Sequence, residues 1–345
     1  MKHLLLSLIG CCLITIAVAQ TGAKDSSAPR QKEWIEAMDN YINLRLSQNR
    51  DVEEFVVDQG NQRYVISPNI SSITRLGFSY RFLSFGYNFI AKFLPGNDDD
   101  DIRGSTKASG YDLGFNFSKW QQELSYSKTK GFYLENTSDF NPSWQQGDPY
   151  LLVPNLEYKN FQGFTGYKFN PNFSFPALVS QTERQLKSAG TLMPTLLYRY
   201  FIIDDKTALT GTNSSQKSNS FEALIGIGYY YTFVVNKNFY LALGVRPAAG
   251  MVFTKLTTRL PSGNTVTHQD NFVFRMNARA GVGYNGERFF AGIYARAFGS
   301  TETQENSTVV NYDSRIAAQA FVGYRFNAPK WLKKNVEKVE TLSPF

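Results

Sequence analysis

Histidine and cysteine are the scarcest chemical resources in this sequence. His3 and the adjacent pair Cys11 and Cys12 all fall within the first twelve residues, which leaves His268 as the one histidine further along. A hydrolytic centre needs a base, a nucleophile and an orienting partner within hydrogen-bond reach. His268, between Thr267 and Gln269, is the one candidate base, and the polar stretch 257–270 around it reads as an exposed outer loop. Lys187-Ser188 sets an amine beside a hydroxyl, but no Ser-x-x-Lys spacing and no third group support a nucleophile there. Four consecutive carboxylates, Asp98 to Asp101, offer oxygens to a hard cation. Neighbouring aspartates converge on one ion only in a wrapped loop, and no EF-hand spacing is present, so a solvated acidic loop is expected. These residues predict no catalytic group, no metal site and no cofactor. The alternative, a lipid- or lipopolysaccharide-modifying barrel hydrolase, would rest on His268 and a nearby serine.

Arginine recurs in a more ordered way. Arg75, Arg81, Arg275, Arg279, Arg296 and Arg315 fall on one face of alternating segments, as do Arg288 and Arg325, with Asp112, Glu123 and Glu222 as acidic counterparts. A surplus of inward arginine fits an anion-attracting pore. It fits equally an interior closed by salt bridges.

The elements that would position these residues show a period of two. Phe272, Phe274, Met276, Ala278, Ala280 and Val282 oppose Val273, Arg275, Asn277, Arg279, Gly281 and Gly283. The same split recurs at 74–82, 85–91, 111–118 and 315–326, with Phe321 as the odd apolar residue inward. Successive side chains of a strand point to opposite faces, so each segment has one apolar and one polar or glycine-rich face. In a soluble sandwich the apolar face is the core; in a membrane barrel it meets lipid, and arginine and glycine line the lumen. Segments of this length can cross a tilted bilayer, which takes about 9 to 11 residues. Connections alternate between tight (83–84, 119–120, 285–286) and long and polar (95–109, 135–155, 204–218, 257–270, 300–311). The expected fold is therefore all-β, an antiparallel transmembrane barrel of about 12 strands.

The beginning of the chain reads as an export signal: Lys2, an apolar run over 4–18, then the small-x-small pattern Ala17-Val18-Ala19 before Gln20. Losing Lys2 takes the formal charge from +7 to +6, mild for this length and no pointer to nucleic acid. Residues 20–53 are expected as a periplasmic lead-in, with a short helix over 31–43 from the spacing of Trp34, Ile35, Met38, Tyr41 and Ile42. The barrel would then span 54–326, closing on an aromatic strand of the kind that barrel-assembly machinery reads, with a basic tail at 327–345. The expected location is the outer membrane, and the expected partners are its lipid and lipopolysaccharide.

Strand counting runs into one difficulty. Turn lengths agree from the C-terminus back to Thr191 and from residue 83 forward to 170–172, yet the halves disagree by one strand across 173–190. Twelve strands result if 54–58 is a short first strand and 173–190 is not a wall strand. That segment carries Glu183, Arg184, Gln185, Lys187 and Ser188, and charges near mid-membrane cost several kcal/mol. It is expected as a lumenal plug, with Glu183 and Lys187 pairing with inward arginines and Glu222.

Tyr64 with Pro68-Asn69, the run Gly77-Phe78-Ser79-Tyr80-Arg81-Phe82, Phe173-Ser174, the stretch from Glu183 to Gly190 and the closing Gly323-Tyr324-Arg325-Phe326-Asn327-Ala328-Pro329 carry a resemblance. Together they make the chain similar to a family of bacterial outer-membrane barrels labelled domain of unknown function 4421. The resemblance spans nearly all of the chain after the signal and implies fold and location, with no activity attached.

Overall fold

The computed structural model describes residues 33–50, 53–59, 62–302, 309–310 and 315–342; the expected signal at 1–19 lies outside the described residues. In chain order the strands begin with β1 (Ile35–Ala37), β2 (Tyr41–Arg50), β3 (Phe55–Gln59), β4 (Gln62–Ser67), β5 (Ile73–Tyr80) and β6 (Leu83–Phe89). A short helix α1 (Asp100–Arg103) precedes β7 (Lys107–Asn116), β8 (Trp120–Leu134) and β9 (Leu151–Tyr167). Then come α2 (Pro176–Val179), β10 (Glu183–Gln185), β11 (Ala189–Asp205), β12 (Ser215–Val234) and β13 (Phe239–Leu260). The chain ends with β14 (Gly263–Asn285), β15 (Phe289–Glu302), β16 (Val309–Val310), β17 (Arg315–Asn327) and α3 (Lys330–Leu342).

Twelve of these strands form a closed antiparallel ring: β2, β5 to β9, β11 to β15, then β17, which pairs back onto β2 from Asn327↔Tyr41 to Ala318↔Arg50. Closure satisfies every strand edge, the condition for a sheet to sit in hydrocarbon. The outward face is apolar and exposed, with Ile225 74%, Ile293 61% and Ile316 82% accessible. A continuous exposed apolar belt of this kind is a lipid-facing surface. Near the short-turn end it is rimmed by aromatic pairs: Trp120–Tyr167 with ring centroids 4.9 Å apart, Tyr231–Phe233 at 4.4 Å, Phe239–Tyr284 at 5.0 Å and Tyr324–Phe326 at 4.9 Å. Amphipathic and aromatic rings gather at membrane interfaces in this way.

The molecule departs from expectation at several places. Over the described residues 33–43 there is no helix: the apolar spacing arises from two elements, β1 and the start of β2, joined by a turn at 39–40. Ile35 and Met38 are buried at 8% and 3% exposure. The barrel wall accordingly begins at Tyr41, inside the stretch expected as lead-in. Residues 54–58 do lie in a strand, but β3 pairs with β4 and β16 rather than entering the ring, so β2 completes the twelve. Stretch 257–270 belongs to the long hairpin β13–β14, which turns at 261–262, far beyond what a membrane crossing needs. Its threonines and valines suit an extended ladder although the surface is polar. The tight connection near 83–84 falls at 81–82. The tail at 327–345 contains α3, which packs by way of Glu337 and Glu340 against Arg81.

Candidate functional site

The connection between β9 and β11 crosses no wall. Residues 168–188 fold into the lumen at the short-turn end, and β10 pairs only with β1 in a separate two-stranded sheet, Glu36↔Arg184 at its centre. Phe173, Phe175 and Leu178 of this insert are buried against inward Met193, Tyr230 and Tyr294. The inner wall makes room for its own aromatic floor with glycine. A Cβ on Gly281 would lie 2.0 Å from the Tyr294 ring, and one on Gly283 2.4 Å from Tyr240. The two tyrosine hydroxyls meet at 2.8 Å, and Tyr294 donates to the Leu178 carbonyl at 3.4 Å.

Polar contacts hold the insert to the wall. Arg325, fully buried on β17, donates from Nη2 to the Gln181 carbonyl at 2.6 Å and to Asn285 Oδ1 at 2.5 Å, and from Nη1 to the Gly286 carbonyl. Gln181 is one of two non-glycine residues with positive φ among the described residues, at 52°; such a conformation costs about 1 to 3 kcal/mol and persists where neighbours fix it. Arg45 donates to the Val179 carbonyl at 2.7 Å, and Asn43 to that of Ser180 at 2.9 Å. Arg184 pairs with Glu36 and donates to Asn238 Oδ1 at 2.9 Å.

At the long-loop end the β3–β4 hairpin turns inward. Phe55, 1% exposed, packs on Phe132 and Tyr158 with centroids 5.6 and 5.2 Å away, within a buried cluster that includes Phe201, Leu224 and Val273.

Between the two inserted segments lies a chamber of about 590 Å³. Arg75 pairs with Asp112 on its wall, and Glu222 takes both Nη atoms of Arg275 at 2.8 Å, with Arg199 3.7 Å away and also 3.3 Å from Glu53. Deeper in, Arg45, Arg246, Arg279 and Arg296 line the same space with Glu123 as their acidic counterpart. Arg279 and Arg296 are direct register partners across β14 and β15. Like charges placed opposite each other are destabilising unless something negative neutralises them. The Nε of Arg246 and of Arg279 are buried with no hydrogen-bond partner among the described residues.

Of the lumen-facing candidates, the structure gathers Arg75, Asp112, Glu222, Arg275, Arg279 and Arg296 around the chamber. Arg81 is not among them: it sits in the β5–β6 turn with φ 50° and reaches Glu337 and Glu340, because alternation ends where the strand ends. Arg288 likewise lies in a turn, over the Tyr41 ring. Arg315 opens β17 opposite Phe298, and its side chain lies outside the described residues. Glu183 and Lys187 do not reach Glu222. Glu183 accepts from Ser174 Oγ at 2.6 Å, and Lys187 pairs at 3.2 Å with Glu33 near the surface. Ser188 Oγ accepts the Val234 N–H at 2.9 Å, while the Lys187 ammonium turns to Glu33. His268 is exposed on β14, in register with Lys255. Asp99 pairs with Arg103 and Asp100 with Lys92, and no metal-ligand cluster occurs among the described residues.

Arg45, Arg199 and Arg246 were not among the sequence candidates. Arg199 stands inward between outward Tyr198 and Tyr200, a legible alternation. Arg45 stands between Leu44 and Leu46, in the stretch 20–53 expected as a lead-in rather than as wall. Arg246 precedes Pro247, where the β12–β13 pairing is interrupted between Gly226↔Ala248 and Tyr229↔Val245; proline brings no N–H to a ladder.

Burial pushes the Glu183 carboxyl above the usual range, opposed by Lys168 and the Ser174 hydroxyl, and burial pushes the Lys168 amine down. An acid whose folded pKa is raised leaves stability intact below its ordinary pKa, and stability falls as pH rises through the folded value. Glu183→Gln keeps the oxygen that Ser174 donates to and cannot ionise. It should therefore stabilise the folded barrel at pH 8 and change little at pH 4, in denaturant melts followed by gel mobility; equal effects at both pH values would contradict the burial of this carboxylate.

A closed twelve-stranded ring with a lipid-facing belt and a charged, filled lumen defines a transmembrane β-barrel of outer-membrane type. The chain belongs to the family described as Domain of unknown function (DUF4421), whose profile matches residues 24–326. No curated protein matches it. Among solved structures, the chain is similar to the β domain of the Bordetella autotransporter BrkA, at 10% identity and TM-score 0.38 over 84% of this chain and 100% of that one. It is also similar to the outer membrane protease OmpT of Escherichia coli, at 9% identity and TM-score 0.38 over 84% and 98%. A Pseudomonas putida F1 outer membrane channel gives 10% identity and TM-score 0.35 over 83% and 96%. No site residue is carried over from any of them.

Proposed function

We propose that this chain is a non-enzymatic outer-membrane barrel that accepts small anionic solutes in its chamber and passes them when the 168–188 insert shifts. In this orientation the short turns and the insert face the periplasm and the long loops face outward. The observation that carries the reading is the excess of arginine over carboxylate in the chamber, above all the opposed pair Arg279 and Arg296. Fixed positive charge in a low-dielectric passage lowers the barrier to anions and raises it to cations. Arg75, Arg199 and Arg275 are matched by Asp112, Glu53 and Glu222 and serve the wall. The remaining arginines outnumber Glu123. A hydrolase has no support in this geometry, since His268 faces outward beyond the belt.

The reading is tested by loosening the insert and measuring charge preference. In a planar bilayer under a potassium chloride gradient, a variant with the insert released should show a reversal potential on the chloride side. Arg279→Gln with Arg296→Gln in the same background should move it toward zero. A potassium-side potential that those substitutions leave unchanged would overturn the anion reading.

A further inference from the structure

Outside the barrel, a second group of charges sits where the lipid belt stops. Tyr126, Phe161 and Tyr200 are register partners on β8, β9 and β11, all facing outward and exposed. One outward step closer to the long loops, Lys128 lies directly opposite Lys159, and the next step brings Lys130 opposite Glu157. Glu157 is 4% exposed and is surrounded by Lys128 at 3.0 Å, Lys159 at 2.9 Å and Lys206 at 2.9 Å, while those three side chains remain 43%, 38% and 45% exposed. One covered carboxylate thus gathers three ammonium groups and leaves them an excess of positive charge facing outward. Lys130 and Lys217 flank the cluster in the adjoining register row. Asp204, the other acid of that row, is already engaged by Arg259.

Two lysines directly opposite each other are unfavourable by themselves. Seated immediately beyond exposed aromatic rings, they stand at the depth of lipid headgroups. The chemistry found at that depth is phosphate, for which lysine is a compact point-charge partner. We propose that the cluster around Glu157 docks the phosphates of an outer-leaflet glycolipid, lipopolysaccharide, on the outside of the barrel. This rests on the outer-membrane reading above and is independent of the chamber.

The test uses the full barrel purified in detergent and titrated with lipopolysaccharide, with native mass spectrometry counting bound lipid. The variant carries Lys128→Gln, Lys159→Gln and Lys206→Gln together with Glu157→Gln, so that no buried carboxylate is stranded. About 1 kcal/mol for each surface lysine near an anionic headgroup is about fivefold, so losing three should weaken binding about a hundredfold. Lipopolysaccharide stripped of its phosphates should bind the natural protein as weakly, and the triple lysine-to-arginine variant should keep tight binding and so control for folding. Equal binding by the glutamine variant, or by the stripped lipid, would overturn the proposal. Full competition by equimolar inorganic phosphate would also overturn it, by making the cluster a site for free anions. The outer-membrane reading fails separately, if the natural protein does not insert into phospholipid vesicles at all.

Discussion

Replacing Arg184 and Arg325 together with glutamine should turn a quiet barrel into a conducting one. Arg325 fixes the insert through the Gln181 carbonyl, the residue with left-handed backbone, and ties it to Asn285 and the Gly286 carbonyl of the next turn. Arg184 ties the opposite edge to Glu36 and Asn238. Removing a buried charged partner costs about 3 to 5 kcal/mol, because the groups left behind lose their bonds without regaining water. With about 1.4 kcal/mol for each tenfold, loosening by 3 kcal/mol raises the undocked population about a hundredfold. Step conductance in planar bilayers should appear, and cells should become sensitive to bulky polar antibiotics. Lys187→Gln should add little, since its pair with Glu33 is exposed on both sides and such pairs contribute about 0 to 1 kcal/mol. A folded double variant as silent as the natural protein would show that the apolar contacts of Phe173 and Leu178 alone hold the insert.

The lipid face gives the second large effect. Phe274→Arg or Met276→Arg on β14 should destabilise the inserted barrel by about 2 to 4 kcal/mol if the position is near mid-bilayer, read as a shift in the denaturant midpoint in vesicles. Asn277→Ser, the next residue after Met276 on the same strand and facing the chamber, should be nearly silent. The reverse ranking would mean the faces are inverted. Alternation alone would class Gly281 with Asn277 as a tolerant inward position. The structure separates them, because any side chain at Gly281 meets the Tyr294 ring.

The period-two pattern carried the architecture because lipid on one side and water or protein on the other enforce it along every wall strand. It carried Arg75, Arg275, Arg279 and Arg296 to their places for the same reason. It failed where residues leave the wall. Arg81 stands past a strand end, and Ile35 and Met38 belong to a short sheet whose spacing imitates a helix. The Phe55 hairpin reads as a wall strand because its neighbours in the lumen are as apolar as lipid. The 173–190 segment stood out in the sequence by its charges and its count of turns. Its anchors did not, since Arg325 acts on a carbonyl 144 positions away and no local pattern encodes such a contact.

Residues 168–188 close the lumen at its short-turn end, and single-channel recording of the natural protein in a planar bilayer tests this most directly. The account predicts long silent periods under moderate voltage, with frequent open steps only in the Arg184→Gln, Arg325→Gln variant. A steady, voltage-independent open conductance from the natural protein, unchanged by those substitutions, would contradict it.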